Sequence, residues 1–307
     1  MTASVLLPSY LVDGPLNGRN DTATYDGGPP PPDETLAGAR FYVPPYMGAP
    51  ADLALMARMP ALEVCQTLTA GYDNVLPHLP GGVVLCNAGG VHDASTAELA
   101  LGLILASLRG IDEFARAQPS GEWRHGRRSS LADRRVLVVG NGGVGRAVRA
   151  RLEPFEVDLT VASRTPRPDA DPPVHGMDRL PALLAHAEVV VVAVPLDDRT
   201  RGLVDADFLA GMPDGALVVN VSRGPVVDTD ALLAETSTGR LRAALDVTDP
   251  EPLPPDHPLW RAPGVLISPH VGGNTTAFLP RARRMVAAQL RRWDAGEPLE
   301  HVVRPAG

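Results

Sequence analysis

The sequence predicts an α/β protein of two domains, the larger built on a doubly wound parallel sheet. Near-continuous aliphatic runs recur at Val136–Val139, Leu159–Ala162, Val189–Val194, Ala216–Val221 and Val265–Ser268. Strands read this way when helices cover both faces of their sheet. A shorter α/β alternation precedes them. The chain, at 307 residues with 44% hydrophobic and 21% charged residues, has the size and balance of one large or two medium globular domains.

In chain order, Ser4–Leu7, Arg40–Val43, Leu62–Gln66 and Val83–Cys86 read as the strands of the first domain. Asp21–Glu34, with its run of prolines, reads as a loose surface loop. Ala94–Ala117 is expected to form one long helix. Leu99, Leu101, Leu103, Ile104, Leu105 and Leu108 give it so extensive an apolar surface that it must be buried. An arginine-rich segment, Gly121–Asp133, leads to the second series of strands, which begins at Arg135. The last helix, Arg281–Trp293, carries arginines and a tryptophan suited to return the chain to the first domain. That makes the first domain discontinuous: residues 1–95 plus 280–307, around a second domain of residues 96–279.

Composition removes several classes of function. A net charge of -8 offers no overall attraction to nucleic acid or to an anionic membrane surface, and neither is expected as a partner. Every one of the 28 basic residues is arginine, so chemistry that needs a lysine, a Schiff base or a Walker-type phosphate loop, is excluded. Cys65 and Cys86 sit in apolar runs with no neighbour at metal-ligand or redox spacing, so no metal site or disulfide is expected. Met1–Tyr10 lacks the pattern of a signal peptide, and no stretch reaches the roughly 18 to 20 apolar residues of a membrane helix. The expected location is the cytoplasm.

Gly140, Gly142 and Gly145 form a G-x-G-x-x-G pattern between the strand Val136–Val139 and the helical segment Arg146–Arg151. In that setting the pattern marks a dinucleotide-binding turn of the Rossmann type. The glycines permit a tight turn and a close backbone approach, and a pyrophosphate sits on helix-start amides such as those of Gly143 and Val144. About twenty residues on, where an acidic residue would hold the ribose hydroxyls of NAD, the strand ends in Ser163, Arg164 and Thr165. A guanidinium forms a forked, charge-assisted pair with a 2′-phosphate, so this tip favours NADP (NADPH) over NAD, with Arg167 in support. The alternative is a solvated Arg164 and NAD held through backbone groups.

Three further segments complete the pattern: Asn220-Val221-Ser222-Arg223-Gly224, then Ala244-Leu245-Asp246-Val247 leading to Glu251-Pro252-Leu253, then Ser268-Pro269-His270-Val271-Gly272-Gly273. Taken singly, Arg223 reads as a helix-start ion-pair partner, Glu251 as a loop charge and His270 as a core histidine. Together with the glycine turn, these segments resemble the D-isomer-specific 2-hydroxyacid dehydrogenase family, in order and spacing, from about Leu68 to Asn274. The resemblance implies two Rossmann-like domains with doubly wound parallel sheets and an active-site cleft between them that closes on cofactor and substrate. It implies Arg223 as the substrate-binding arginine, His270 as the acid/base and Glu251 as the carboxylate paired with it. The chemistry agrees, because ketone reduction needs a proton donor at the carbonyl oxygen, and an adjacent carboxylate favours the charged imidazole.

The same resemblance makes Leu68–Asn74 the loop whose Ala70 and Gly71 amides hold the substrate carboxylate. It places Thr96, Val194, Pro195, Val221, Ser222, Asp246, His270, Gly272 and Gly273 along the cofactor, with Asp246 at the nicotinamide carboxamide. Tyr46 and Met47 are candidates for the pocket wall, and a homodimer is expected through the long helix and an arm around Trp123. The implied activity is NADPH-linked interconversion of a small 2-oxo acid and its D-2-hydroxy acid, of glyoxylate or hydroxypyruvate type. A phosphite dehydrogenase is an alternative, although its substrate-loop lysine is replaced here by Ala70. A formate dehydrogenase pairs its histidine with glutamine, where this chain has Glu251. A nicotinamide-sensing, corepressor-like scaffold would keep the same residues.

Overall fold

The computed structural model describes residues 3–14, 16 and 18–305. Met1, Thr2, Pro15, Asn17, Ala306 and Gly307, all within the expected first domain, lie outside the described residues. The chain forms two compact units, Met1–His92 with Thr276–Gly307, and Asp93–Thr275. These divisions fall a few residues before those read from the sequence. Asp93 already opens the helix Asp93–Arg109, and a 2.8 Å hydrogen bond between the hydroxyls of Ser95 and Thr275 fastens Thr275 to that helix.

In chain order the first unit holds β1 (Val5–Leu7), β2 (Thr22–Thr24), β3 (Phe41–Tyr42), β4 (Val64–Gln66) and β5 (Val84–Cys86). The second holds β6 (Arg135–Val139), β7 (Asp158–Ser163), β8 (Val174–Gly176), β9 (Val189–Val192), β10 (Leu217–Asn220), β11 (Arg242–Leu245) and β12 (Val265–Ile267). Last comes β13 (Val302–Arg304), again in the first unit.

The seven strands of the second unit are all parallel, in the order β12-β11-β10-β9-β6-β7-β8. Alternate residues of each strand enter two separate cores. Leu137, Val139, Val190, Val192, Val218 and Leu245 pack on one face. Val136, Val138, Val189, Val191, Leu217 and Val219 pack on the other, against the helices Asp93–Arg109 and Gly143–Leu152. Burial on both faces is the reason these strands read as unbroken aliphatic runs, each fully buried valine contributing roughly 1.5–3 kcal/mol. The strand order reverses between β6 and β9, so the carboxyl ends of those two strands flank the crevice where open α/β sheets take their ligands.

The first unit has a six-stranded sheet, β13-β5-β4-β3-β1-β2, parallel except for the antiparallel edge strand β13. The helix Phe278–Ala295 covers one face through Ala282, Val286, Ala287 and Leu290. Cys65 and Cys86, on β4 and β5, are buried free thiols.

Two expectations need correction. Asp21–Glu34 is not a loose loop throughout, since Thr22–Thr24 adds β2 to the edge of β1 and Asp33 opens the helix Asp33–Gly38. The single helix expected over Ala94–Ala117 is two, Asp93–Arg109 and Ile111–Ala117, bent by 68°. Gly110 lies at the break in the left-handed region, φ 67°, which ends a helix at no side-chain cost. The sequence reading contains no counterpart of β8 and β13, which are three residues each and too short to show a period; only the tertiary structure defines them. Trp123 is 92% exposed, in a segment with neither helix nor strand. Among the described residues no single helix is long and apolar enough to cross a membrane.

A buried pair of amides accounts for the placement of β13. Gln289 Nε2 donates to Gln66 Oε1 (2.8 Å) and to the Glu300 carbonyl (2.9 Å), and Gln289 Oε1 accepts from the Glu300 amide (2.9 Å). Gln66 Nε2 donates in turn to the Thr67 carbonyl at 2.9 Å. Replacing Gln289 with leucine strands these buried groups and is expected to cost about 1–3 kcal/mol of stability, read as a lower urea midpoint. An unchanged midpoint would show that the network contributes nothing.

Candidate active site

The second unit gathers its polar side chains beyond the carboxyl ends of its strands. After β6 the chain turns at Gly140, whose φ is 115°. A Cβ on Gly140 would stand 2.2 Å from the Ala193 carbonyl oxygen, and one on Gly145 would stand 2.1 Å from the Gly140 carbonyl oxygen. Only glycine fits either position. Gly142, by contrast, faces open space, with nothing within 4 Å of a would-be Cβ. The helix Gly143–Leu152 starts at once, so the unpaired amides of its first turn, at Gly143 and Val144, lie beside that opening. Asn141 Oδ1, inside the turn, is buried with no hydrogen-bond partner among the described residues. An open cradle over helix-start amides, which are donors, fits the pyrophosphate end of a dinucleotide. Gly143 is glycine for another reason: the Asp93 carboxylate occupies the place of a side chain, 2.2 Å from a would-be Cβ.

At the end of β7, Ser163 Oγ donates to the Thr165 carbonyl at 2.8 Å, which curls the tip. Arg164 is largely exposed and donates from Nη1 to Asp197 Oδ2 at 3.1 Å. Asp197 lies beyond Val194 and Pro195 in the loop after β9 and was not singled out from the sequence. Its only signal there was an acid shortly after a strand end.

The candidate catalytic side chains follow β10, β11 and β12. Asn220, fully buried at the end of β10, accepts from the Ser222 amide (3.0 Å) and hydroxyl (2.7 Å) and donates to the Arg223 carbonyl (2.9 Å). The backbone carrying Val221, Ser222 and Arg223 is thereby fixed. Gly224 then passes so close to the next loop that a Cβ would stand 1.9 Å from the Thr248 carbonyl oxygen. Asp246, beyond β11, accepts from Ser268 Oγ (2.7 Å) and from the amides of Val271 (2.9 Å) and Gly272 (2.9 Å). It folds the loop that carries His270. Thr96 reaches the same place, because its Cγ2 would be 3.3 Å from a Cβ on Gly272.

His270 sits at φ 52°, a conformation rare for a residue with a side chain and frequent where a site dictates geometry. Its Nδ1 lies 2.5 Å from Glu251 Oε1. The hydrogen bond from His270, outweighing partial burial and helped by the charges of His270 and Arg223, holds the Glu251 carboxyl below its ordinary range. A carboxyl lowered in the folded state contributes stability above its unfolded pKa and loses it as pH falls through the folded value. The pair therefore stays charge-assisted at neutral pH. Among the described residues no cluster of His, Cys, Asp or Glu is arranged to hold a metal ion.

In the first unit, the loop after β4 is pinned through its carbonyls. Those of Thr69, Ala70 and Gly71 accept from Thr67 Oγ1 (3.0 Å), Asn87 Nδ2 (2.6 Å) and Thr69 Oγ1 (2.7 Å). The amides of Ala70 and Gly71 make no hydrogen bond among the described residues, leaving two adjacent donors suited to an anion. His92, which the sequence did not single out, donates from Nε2 to the Leu68 carbonyl at 2.7 Å and so tethers this loop. Its ring stacks with Tyr46 and Phe278 at centroid distances of 5.6 and 5.4 Å. Met47 is 55% exposed.

Residues 101–272 match the family model described as D-isomer specific 2-hydroxyacid dehydrogenase, NAD binding domain. The human glyoxylate reductase/hydroxypyruvate reductase is 33% identical over 248 residues, 78% of this chain and 76% of that one. The chain belongs to the D-isomer specific 2-hydroxyacid dehydrogenase family. It is thereby an NAD(P)-dependent oxidoreductase. The glyoxylate reductase of Thermofilum pendens is 32% identical over 250 residues, 78% of this chain and 74% of that one. A D-isomer specific 2-hydroxyacid dehydrogenase from Xanthobacter autotrophicus Py2, solved in complex with NADPH and MES, is similar with a TM-score of 0.83 and 31% identity over 99% of both chains. In this dehydrogenase, Gly224→Ala must push Arg223 or the Thr248–Glu251 loop aside. It is expected to lower kcat/KM by at least about tenfold while leaving the circular dichroism spectrum unchanged. Full activity would mean that the close approach is not needed for catalysis.

Proposed function

We propose that this dehydrogenase reduces a small 2-oxo acid of the glyoxylate or hydroxypyruvate kind to its D-2-hydroxy acid, with NADPH favoured over NADH. The observation that carries the reading is the His270–Glu251 pair, 2.5 Å apart, with Arg223 close enough for its charge to act on Glu251. The names of the similar reductases support the substrate class, and Arg164 at the tip of β7 supports the 2′-phosphate.

The reduced nicotinamide, when bound, supplies the hydride. Arg223 binds the substrate carboxylate and draws electron density from the carbonyl oxygen while keeping its own charge. With Nδ1 engaged by Glu251, the other ring nitrogen of His270, Nε2, delivers the proton to that oxygen. Glu251 fixes the ring and stabilises its protonated form before transfer. We assign the Ala70 and Gly71 amides to the substrate carboxylate as well. The group of Thr96, Asp246, Gly272 and Gly273 is assigned to the nicotinamide end, and Val194, Pro195, Val221 and Ser222 to the walls of the cofactor crevice.

The test is the loss of absorbance at 340 nm with NADPH and with NADH over glyoxylate, hydroxypyruvate, pyruvate and longer 2-oxo acids, with phosphite oxidation as a control. Turnover of one oxo acid, faster on NADPH, is expected. Phosphite oxidation alone would overturn the substrate class. His270→Asn is expected to lower kcat by about 10²–10⁴-fold. Glu251→Gln keeps the size of the side chain but removes the carboxylate that holds the ring, and is expected to lower kcat by about tenfold or more. A kcat unmoved by Glu251→Gln would remove Glu251 from this role.

A further inference from the structure

Arg164 leaves the carboxyl end of β7 and Asp197 that of the β9 loop, and in the sheet β6 lies between those two strands. Their ion pair, 3.1 Å from Nη1 to Oδ2, therefore spans the strand whose end makes the glycine turn. It links the two sides of the crevice at the position where, by the rule for such sheets, the adenosine ribose of a dinucleotide is held.

Asp197 is set in place by its own loop. Its Oδ1 accepts from the Arg199 amide (2.9 Å) and the Thr200 hydroxyl (3.3 Å), while its own amide donates to Thr200 Oγ1 (2.8 Å). The single proton of that hydroxyl is shared with the Pro195 carbonyl, 2.6 Å away. Burial acts to raise the Asp197 carboxyl, yet the Arg199 amide, the Thr200 hydroxyl and Arg164 together hold it below its ordinary range. It is thus a fixed anion, with Oδ2 turned to the Arg164 guanidinium at the tip of β7.

We propose that Asp197 is a specificity-determining residue that holds down the preference for a 2′-phosphorylated cofactor by competing with the phosphate for Arg164. A 2′-phosphate on Arg164 must displace the carboxylate or sit beside it, like charge against like charge. A 2′-hydroxyl carries no charge to be repelled and is able to donate to the carboxylate. The pair of residues therefore offers each cofactor one partner, Arg164 for NADP and Asp197 for NAD. This rests on the reading of Arg164 as the phosphate partner, and it adds that the preference is moderated from the opposite side of the crevice.

The experiment is calorimetric titration of the full-length wild type, Asp197→Asn, Arg164→Ala and the double variant with NADP+ and with NAD+ at fixed ionic strength. Asparagine keeps an acceptor for Arg199 and Thr200, so the loop is retained while the charge is removed. In Asp197→Asn the ratio of the NAD+ to the NADP+ dissociation constant is expected to rise about tenfold, chiefly through tighter NADP+ binding. The rise is expected to vanish when Arg164 is also alanine. A ratio that stays the same or falls in Asp197→Asn overturns the proposal, as does a rise that survives the loss of Arg164. The reading of Arg164 fails separately, through a wild-type ratio that Arg164→Ala leaves unchanged.

Discussion

Parallel strands covered on both faces have no room for polar side chains along their length, and that constraint organises the second unit. Valine and leucine fill positions on both sides of β6, β9 and β10, so the groups that do chemistry stand beyond the strand ends. Arg164, Asp197, Asp246 and His270 all follow a strand in this way, and Asn220 is the last residue of β10. Each is held by hydrogen bonds to neighbouring turns rather than by packing in a core. The sheet supplies rigidity, and the loops at one edge supply function.

Close backbone approach is the second device. Gly140 against Ala193, Gly145 against Gly140 and Gly224 against Thr248 each bring two loops nearer than any side chain allows. The first two shape the cradle over the helix Gly143–Leu152, and the third brings the Arg223 segment against the loop that leads to Glu251. Asp246 does with a carboxylate what the glycines do by lacking a side chain: three hydrogen bonds draw the His270 loop onto the end of β11. The His270–Glu251 pair is thus positioned by residues on three separate loops, those after β10, β11 and β12.

The parallel sheet, the glycine turn and the order of the functional segments were legible in the sequence because each leaves a local trace, an aliphatic run or a fixed spacing of glycines. The 68° break at Gly110 was not, since the apolar pattern continues through a glycine whose left-handed conformation no periodicity reveals. Nor were β2 and β13, which exist because a neighbouring edge accepts them and, for β13, because Gln289 and Gln66 fix the returning chain. Within the site, Arg223, Glu251 and His270 were readable from motif order, and the structure brings Glu251 and His270 into direct contact. Asp197 and His92 were not readable, because each acts on a partner 33 or 24 residues away through a contact that only the fold creates.

The Asp93 carboxylate at Gly143 makes the tolerance of one position a property of another. The fourth place of this G-x-G-x-x-G turn has no room for a side chain. That place is filled from elsewhere in the chain. Any side chain introduced at position 143 has to evict the carboxylate, and any shortening of Asp93 opens a space that a side chain at 143 is able to fill. The two positions, fifty residues apart, are expected to change together as the family diverges, one gaining volume as the other gives it up.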